Sequence, residues 1–130
     1  MMKLDHELVR YTLLSIESSS NIMGPSEDEL LKTIANYGQY DRNSVAYTII
    51  KLKEANYITG LVRWGNNQPA LIEPGNLTFE GHKFLDNIRD DGVWKDTKKI
   101  ISKFSSVSLT LISNVAAGVI TQLIKNQIGI

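Results

Sequence analysis

The residue pattern predicts a mainly helical α+β chain. Apolar residues recur at helical spacing through most of the 130 positions. Between Tyr57 and Glu73 the pattern changes: β-branched and aromatic residues cluster on either side of Gly65-Asn66-Asn67-Gln68, as in a hairpin. The 42% hydrophobic and 22% charged fractions are those of an ordinary globular domain. A chain of this size buries about two-thirds of its unfolded surface, enough to fold without cross-links.

The elements follow in order. Residues 3–19 carry two apolar stripes, Leu4, Leu8, Tyr11 and Val9, Leu13, Ile16, so the first helix is expected to be covered from two sides. Ser18-Ser19-Ser20-Asn21 and Gly24-Pro25 end it. Ser26 and Glu29 fit a capping box for a second helix reaching Tyr37, and Glu27, Asp28 and Glu29 suit its positive end. Asp41 caps a third helix in which Val45, Ile49 and Leu52 face the core, and Asn56 supplies a left-handed stop. Tyr57–Trp64 reads as one strand and Ala70–Glu73 as its return. Thr78 caps a helix over 79–90, and Asp91-Gly92 is read as a break. A short helix over 93–103 and a long one over 107–127 complete the chain.

Three helices, a hairpin and a helix make the order of a winged helix-turn-helix, expected over residues 3–91, with a C-terminal helical extension over 92–130 packing on the first helix or on a dimer partner. Two segments resemble that fold locally. Val45-x-x-x-Ile49-x-x-Leu52-Lys53-Glu54-Ala55-Asn56-Tyr57-Ile58 resembles the end of a recognition helix entering the wing. Leu77-Thr78-x-x-Gly81-x-x-Phe84-Leu85 resembles the segment after the wing in bacterial regulators, its Gly allowing close approach of a neighbouring element. The opening Met2-Lys3-Leu4-Asp5-His6-Glu7-Leu8-Val9-Arg10 and the stretch Leu77 to Trp94 are similar to an uncharacterised family of small proteins from Firmicutes and their phages. The resemblance covers nearly the whole chain. It implies a source and a fold, but no activity and no functional residue.

A winged helix reads DNA with the exposed face of its third helix and with its wing. Here those are Arg42, Asn43, Ser44, Tyr47, Thr48 and Lys51, then Arg63, Trp64, Asn66 and Asn67, with Gln68 beside them. Asn pairs with adenine edges, and Lys with guanine or phosphate. Double-stranded DNA is therefore the first expected partner, and the chain is expected to be a small DNA-binding regulator or accessory protein of a phage or mobile element. The alternative is a phage-associated protein-interaction module that touches no DNA. Charge speaks for the alternative: 14 basic and 14 acidic residues cancel, Glu54 shares the candidate face, and phosphate attraction needs a basic excess.

The charges are unevenly placed. None lies between Lys103 and Lys125, 21 positions. Residues 104–124 hold 12 apolar and eight polar residues, the polar ones largely on one side, which fits a packing face better than a membrane span or a surface-bound helix. Ile112, Val115, Val119, Ile120 and Leu123 are its expected contacts, with a homodimer as the expected assembly.

No enzyme, cofactor or metal site is expected. Cysteine is absent, His6 and His82 are far apart, and adjacent Asp5-His6-Glu7 point about 100° apart on a helix. His82 is read as a surface residue that can pair with Asp86, and Asp90-Asp91 as a helix close. Trp94 is expected to be packed and Trp64 exposed. Met-Met-Lys-Leu followed by Asp5, His6 and Glu7 has no apolar leader pattern, so a cytoplasmic location is expected.

Overall fold

The computed structural model describes residues 3–129. They form six helices and one two-stranded antiparallel sheet in the order α1 (His6–Ser18), α2 (Glu27–Ala35), α3 (Arg42–Glu54), β1 (Leu61–Gly65), β2 (Gln68–Glu73), α4 (Phe79–Ile88), α5 (Asp91–Ile101) and α6 (Leu109–Ile128). The architecture is α+β and mainly helical. Two compact units divide the chain, one up to His82 and one from Lys83 onward.

Each helix starts on a side-chain cap that satisfies an otherwise orphaned amide. Asp5 accepts from the Leu8 amide, Ser26 from Glu29, Asp41 from Ser44, Thr78 from Gly81, Asp90 from Val93 and Ser108 from Leu111, at 2.7–3.1 Å. The caps at Ser26, Asp41 and Thr78 were legible as Ser, Asp or Thr before an apolar-periodic run. The cap at Asp90 corrects the break expected at Asp91-Gly92. Helix α5 begins at Asp91, and Gly92 lies inside its first turn, because Asp90 is the stronger start signal.

In the first unit, α1 packs on α2 and α3, and α3 packs on both strands. Leu8, Val9, Leu13 and Ile16 of α1 are all buried, with Leu30 and Ile34 of α2 and Val45, Ile49 and Leu52 of α3. The two stripes of the first helix are thus both covered. Tyr11 stacks on Tyr37 with ring centroids 4.7 Å apart, and Tyr40 lies tilted beside Tyr11. Helix α3 stops as expected: Asn56 takes a left-handed φ of 64°, and the Tyr57 amide turns back to donate to the Leu52 carbonyl.

The strand expected from Tyr57 to Trp64 is two pieces. Ile58 forms an isolated bridge with Leu77, and the Thr59 and Thr78 amides donate to the Asn76 and Tyr57 carbonyls. The hairpin proper starts at Leu61. Gly60 separates the pieces, its backbone lying so close to Glu73 and Pro74 that a Cβ would collide with both. Periodicity cannot see this change of partner, because both pieces carry β-type residues. The hairpin turn is Asn66-Asn67, with φ of 51° and 62°. Two successive positive φ values mark a two-residue turn matched to the strand twist, and Asn tolerates that region. A bulge at Arg63/Trp64 brings Trp64 opposite Pro69 beside the turn.

In the second unit, α5 packs along α6. Val93, Trp94, Thr97 and Ile101 of α5 are buried, as are Ile112 and Ala116 of α6. Asn87, near the end of α4, donates to the Ser113 hydroxyl at 2.9 Å. Trp94 is packed, with the Lys98 ammonium 5.9 Å from its ring centre.

Candidate interaction face on the third helix and hairpin

One carboxylate bonds both α3 and the hairpin. Glu27, in the first turn of α2, accepts from Arg42 Nε at 2.9 Å, from Arg42 Nη2 at 3.0 Å and from the Ile72 amide at 2.7 Å. Arg42 Nη1 donates to the Pro69 carbonyl. One ion pair therefore ties α2, α3 and β2 together. The Arg42 guanidinium holds the Glu27 carboxyl below the usual carboxylate range, with the Ile72 amide adding to it and partial burial opposing it. The hydrogen bonds to Glu27 raise Arg42 further above its already high value. Read from sequence, Arg42 was a candidate contact for DNA and Glu27 a helix-end charge. The structure joins them, and only their separation of 15 positions hid it.

Of the α3 candidates, Asn43 is exposed, and Ser44, Tyr47 and Lys51 are half-buried. Thr48 is a correction. Its side chain is 1% exposed, and its hydroxyl donates to the Ser44 carbonyl at 2.8 Å, so it belongs to the core side of α3. Position 48 lies one residue before buried Ile49 and three after Val45, which turns it inward. Lys51 Nζ lies 3.0 Å from Glu54 Oε2 and 5.5 Å from the centre of the Tyr47 ring. The Glu54 hydrogen bond and charge raise the Lys51 pKa.

On the hairpin, Leu61, Arg63, Leu71 and Glu73 share the outward face, while Val62 and Ile72 turn toward the core. Arg63 Nε pairs with Glu73 Oε1 at 3.1 Å across the strands. Leu61 and Leu71 are both exposed on that face, and the sequence reading missed them. Their signal was the alternation with Val62 and Ile72. Trp64 is 59% exposed, and Asn66, Asn67 and Gln68 are exposed at the tip. The three candidate cations, Arg42, Lys51 and Arg63, thus each pair with a carboxylate of the same unit.

A cleft of about 500 Å³ opens at the α2–α3 turn, lined by Leu31, Ile34, Val45, Tyr40 and Arg42 among others. Burial raises the Tyr40 pKa first, with Asp5, Tyr11 and Glu7 adding to it.

His82 does not pair with Asp86. Its Nδ1 lies 3.9 Å from Glu17 Oε2, while Asp86 pairs with Arg89 at 3.1 Å; Gly81, the residue before His82, lies against the Tyr57 backbone. Among the described residues, no three His, Asp or Glu side chains are grouped to hold a metal ion. Among the same residues, no helix is long and apolar enough to cross a membrane.

The expected α6 contacts separate. Ile112 is fully buried against its own chain, a correction to its reading as a partner contact. Val115, Val119 and Ile120 are half-buried, and Leu123 is exposed.

A mainly helical α+β chain with this element order has relatives. Residues 3–108 match the profile of the family DUF2513, described as "Hypothetical protein", and the chain belongs to that family. It is also similar to an uncharacterized protein of Haemophilus influenzae, 35% identical over 124 residues that cover 95% of this chain and 99% of the relative. No solved structure matches the chain.

Proposed function

We propose that the chain is a winged helix-turn-helix module whose third helix and wing bind a protein partner. Support for the winged arrangement comes from α1–α3 packed as a trihelical unit, the hairpin docked on α3, and a fourth helix whose cap, Thr78, also donates to the Asn56 carbonyl at the end of α3. The observation that carries the protein-partner reading is charge balance. Arg42, Lys51 and Arg63 are each paired with Glu27, Glu54 and Glu73 at 2.9–3.1 Å. A surface with no cationic excess gains little from releasing counterions on a phosphate backbone. The same surface exposes Trp64, Leu61 and Leu71, and Trp is the residue type most enriched at binding hot spots.

A second reading, a small DNA-binding regulator or accessory protein of a phage or mobile element, draws on the exposed amides of Asn43, Asn66 and Asn67 and on Tyr47. Its phage or mobile-element setting stands on the sequence resemblance alone. The two readings part in a gel-shift titration with random duplex DNA at about 50 mM salt, where phosphate attraction is strong. The protein-partner reading expects no salt-sensitive shift. A shift abolished by Lys51→Glu with Arg63→Glu would establish the DNA reading in its place. In a parallel affinity capture from host lysate, Trp64→Ala should lose a partner that the wild-type chain retains.

A further inference from the structure

We propose that the outer edge of β1 takes an extended segment of a protein partner as a third, antiparallel strand. This names the kind of partner for the protein-binding reading above, and rests on that reading. The hairpin register fixes which backbone groups point outward. The Ile72 amide donates to Glu27 at 2.7 Å, so it points away from β1. Ile72 lies opposite Val62, which makes this a pair without mutual hydrogen bonds, and the Val62 N–H and C=O also point away from the sheet. Gly65 and Gln68 flank the two-residue turn as its bonded pair. Trp64, opposite Pro69, therefore turns its N–H and C=O to the same outer edge as Val62. Among the described residues, no strand pairs with that edge and no hydrogen bond reaches these four groups.

The two edges of the sheet are built differently. Native sheets blunt an edge with proline, a bulge or a covering group. Strand β2 has all three: Pro69 lacks an N–H, Ala70 is the extra residue of the bulge, and Glu27 and Arg42 hold the Ile72 amide and the Pro69 carbonyl. Strand β1, Leu61-Val62-Arg63-Trp64-Gly65, has no proline and no extra residue, and among the described residues no side chain bonds its outward groups. Exposure follows the same asymmetry. Val62 is half-buried, whereas Ile72, opposite it on the same face, is buried.

Backbone bonds at such an edge give affinity, and alternate side chains give choice. A partner residue opposite Val62 lies on the core side beside a half-covered valine, and one opposite Trp64 lies beside its ring. Both places suit β-branched side chains. The residue between them lies on the outward face, opposite Arg63. Arg63 bonds Glu73 through Nε, which leaves its Nη groups for a carboxylate on the other side. A carboxylate there is about 10 Å, two strand spacings, from Glu73. The edge therefore fits an apolar–acidic–apolar segment.

The probe is the acetylated and amidated peptide Thr-Val-Glu-Val-Thr, titrated to about 2 mM into the isotope-labelled full chain and followed by NMR. The Val62 and Trp64 amide signals should shift and gain hydrogen-exchange protection. N-methylation of both peptide valines removes the bonding amides and should abolish the response. Replacing the peptide Glu by Lys should weaken binding about five- to tenfold, because attraction at Arg63 becomes repulsion. Val62→Pro removes an outward N–H and no ladder bond, so the chain should keep its circular dichroism spectrum and lose the response at Trp64; the N-methylated peptide makes the same test on the unaltered chain. No shift at about 2 mM overturns the proposal, as do equal shifts from the N-methylated peptide. Protection of Val62 that rises with protein concentration in the absence of peptide gives the edge to a second copy and overturns it too. The protein-partner reading fails separately, by the salt-sensitive DNA shift described above, which involves no peptide; a silent peptide without that shift removes the added strand alone.

Discussion

Gly81 provides the sharpest test of the packing, because two physical effects predict opposite signs. It lies inside α4, where replacing Gly by Ala ordinarily stabilises a helix by about 1 kcal/mol. Its backbone, however, rests on that of Tyr57. A Cβ at position 81 would fall well inside 3.0 Å of the Tyr57 carbonyl oxygen, with the Tyr57 carbonyl carbon at 2.9 Å and its Cα at 3.2 Å. These are backbone atoms and cannot swing aside. Relief requires α4 to withdraw, which stretches the Thr78 amide bond to the Tyr57 carbonyl, now 2.9 Å. Overpacking of this kind costs about 1–3 kcal/mol and a weakened hydrogen bond about 1 more. Against the helix gain, Gly81→Ala should lose about 1–3 kcal/mol. Gly118, in α6, is the matched control: a Cβ there meets nothing within 4 Å, so Gly118→Ala should gain about 0.5–1 kcal/mol. Urea unfolding of both variants reads the two signs directly. If Gly81→Ala is as stable as the wild type, α4 does not approach Tyr57 as described and the reasoning fails.

Three further outcomes are expected. The folded Glu27 carboxyl titrates below its unfolded value of about 4.3, so its ionised form contributes stability above that pH, and the contribution is lost as pH falls through the depressed folded value; Glu27→Gln should lower stability at pH 7 and flatten the acid limb of a stability–pH curve, and an unchanged acid limb would show that the Arg42 clamp contributes nothing. Asn67→Val places a β-branched side chain at a φ of 62° and should cost about 1–2 kcal/mol in thermal or urea unfolding, whereas Asn67→Gly should be neutral or better. Trp64→Ala should leave stability within about 0.5 kcal/mol of wild type, since the side chain is largely exposed; a larger loss would place Trp64 in the fold and remove it from the binding face.

Local signals carried most of the fold into the sequence. Val45, Ile49 and Leu52 state the buried face of α3 by spacing alone, and Asn56 marks its end. The Thr78–Gly81 pair announces both a cap and a close approach. What stayed hidden depended on partners distant in the chain. Tyr57–Thr59 and Leu61–Gly65 share strand-forming residue types, yet they pair with different segments, residues 76–78 and 68–73. Thr48 is a polar residue between core neighbours, and only its bond to the Ser44 carbonyl explains how it is tolerated inside. Gly24 was readable as a loop residue, but its reason is Gly75, whose carbonyl leaves no room for a side chain.

The candidate face was least legible, and its charges explain why. Residue type alone made Arg42, Lys51 and Arg63 a weakly basic site, and Glu27 a residue placed for a helix dipole. Lys51–Glu54 was visible as an i, i+3 pair. Arg63–Glu73 follows once the hairpin register is known, because Arg63 lies opposite Leu71 and diagonal to Glu73. Arg42–Glu27 needed the packing of α2 against β2, since the carboxylate that binds Arg42 also accepts the Ile72 amide. That third acceptance matters for function. A guanidinium held on two edges, by Glu27 and by the Pro69 carbonyl, keeps the hairpin on α3, so transferring it to a phosphate would loosen the wing that presents Trp64. A residue expected among the DNA contacts is thus one that holds the wing to the helices.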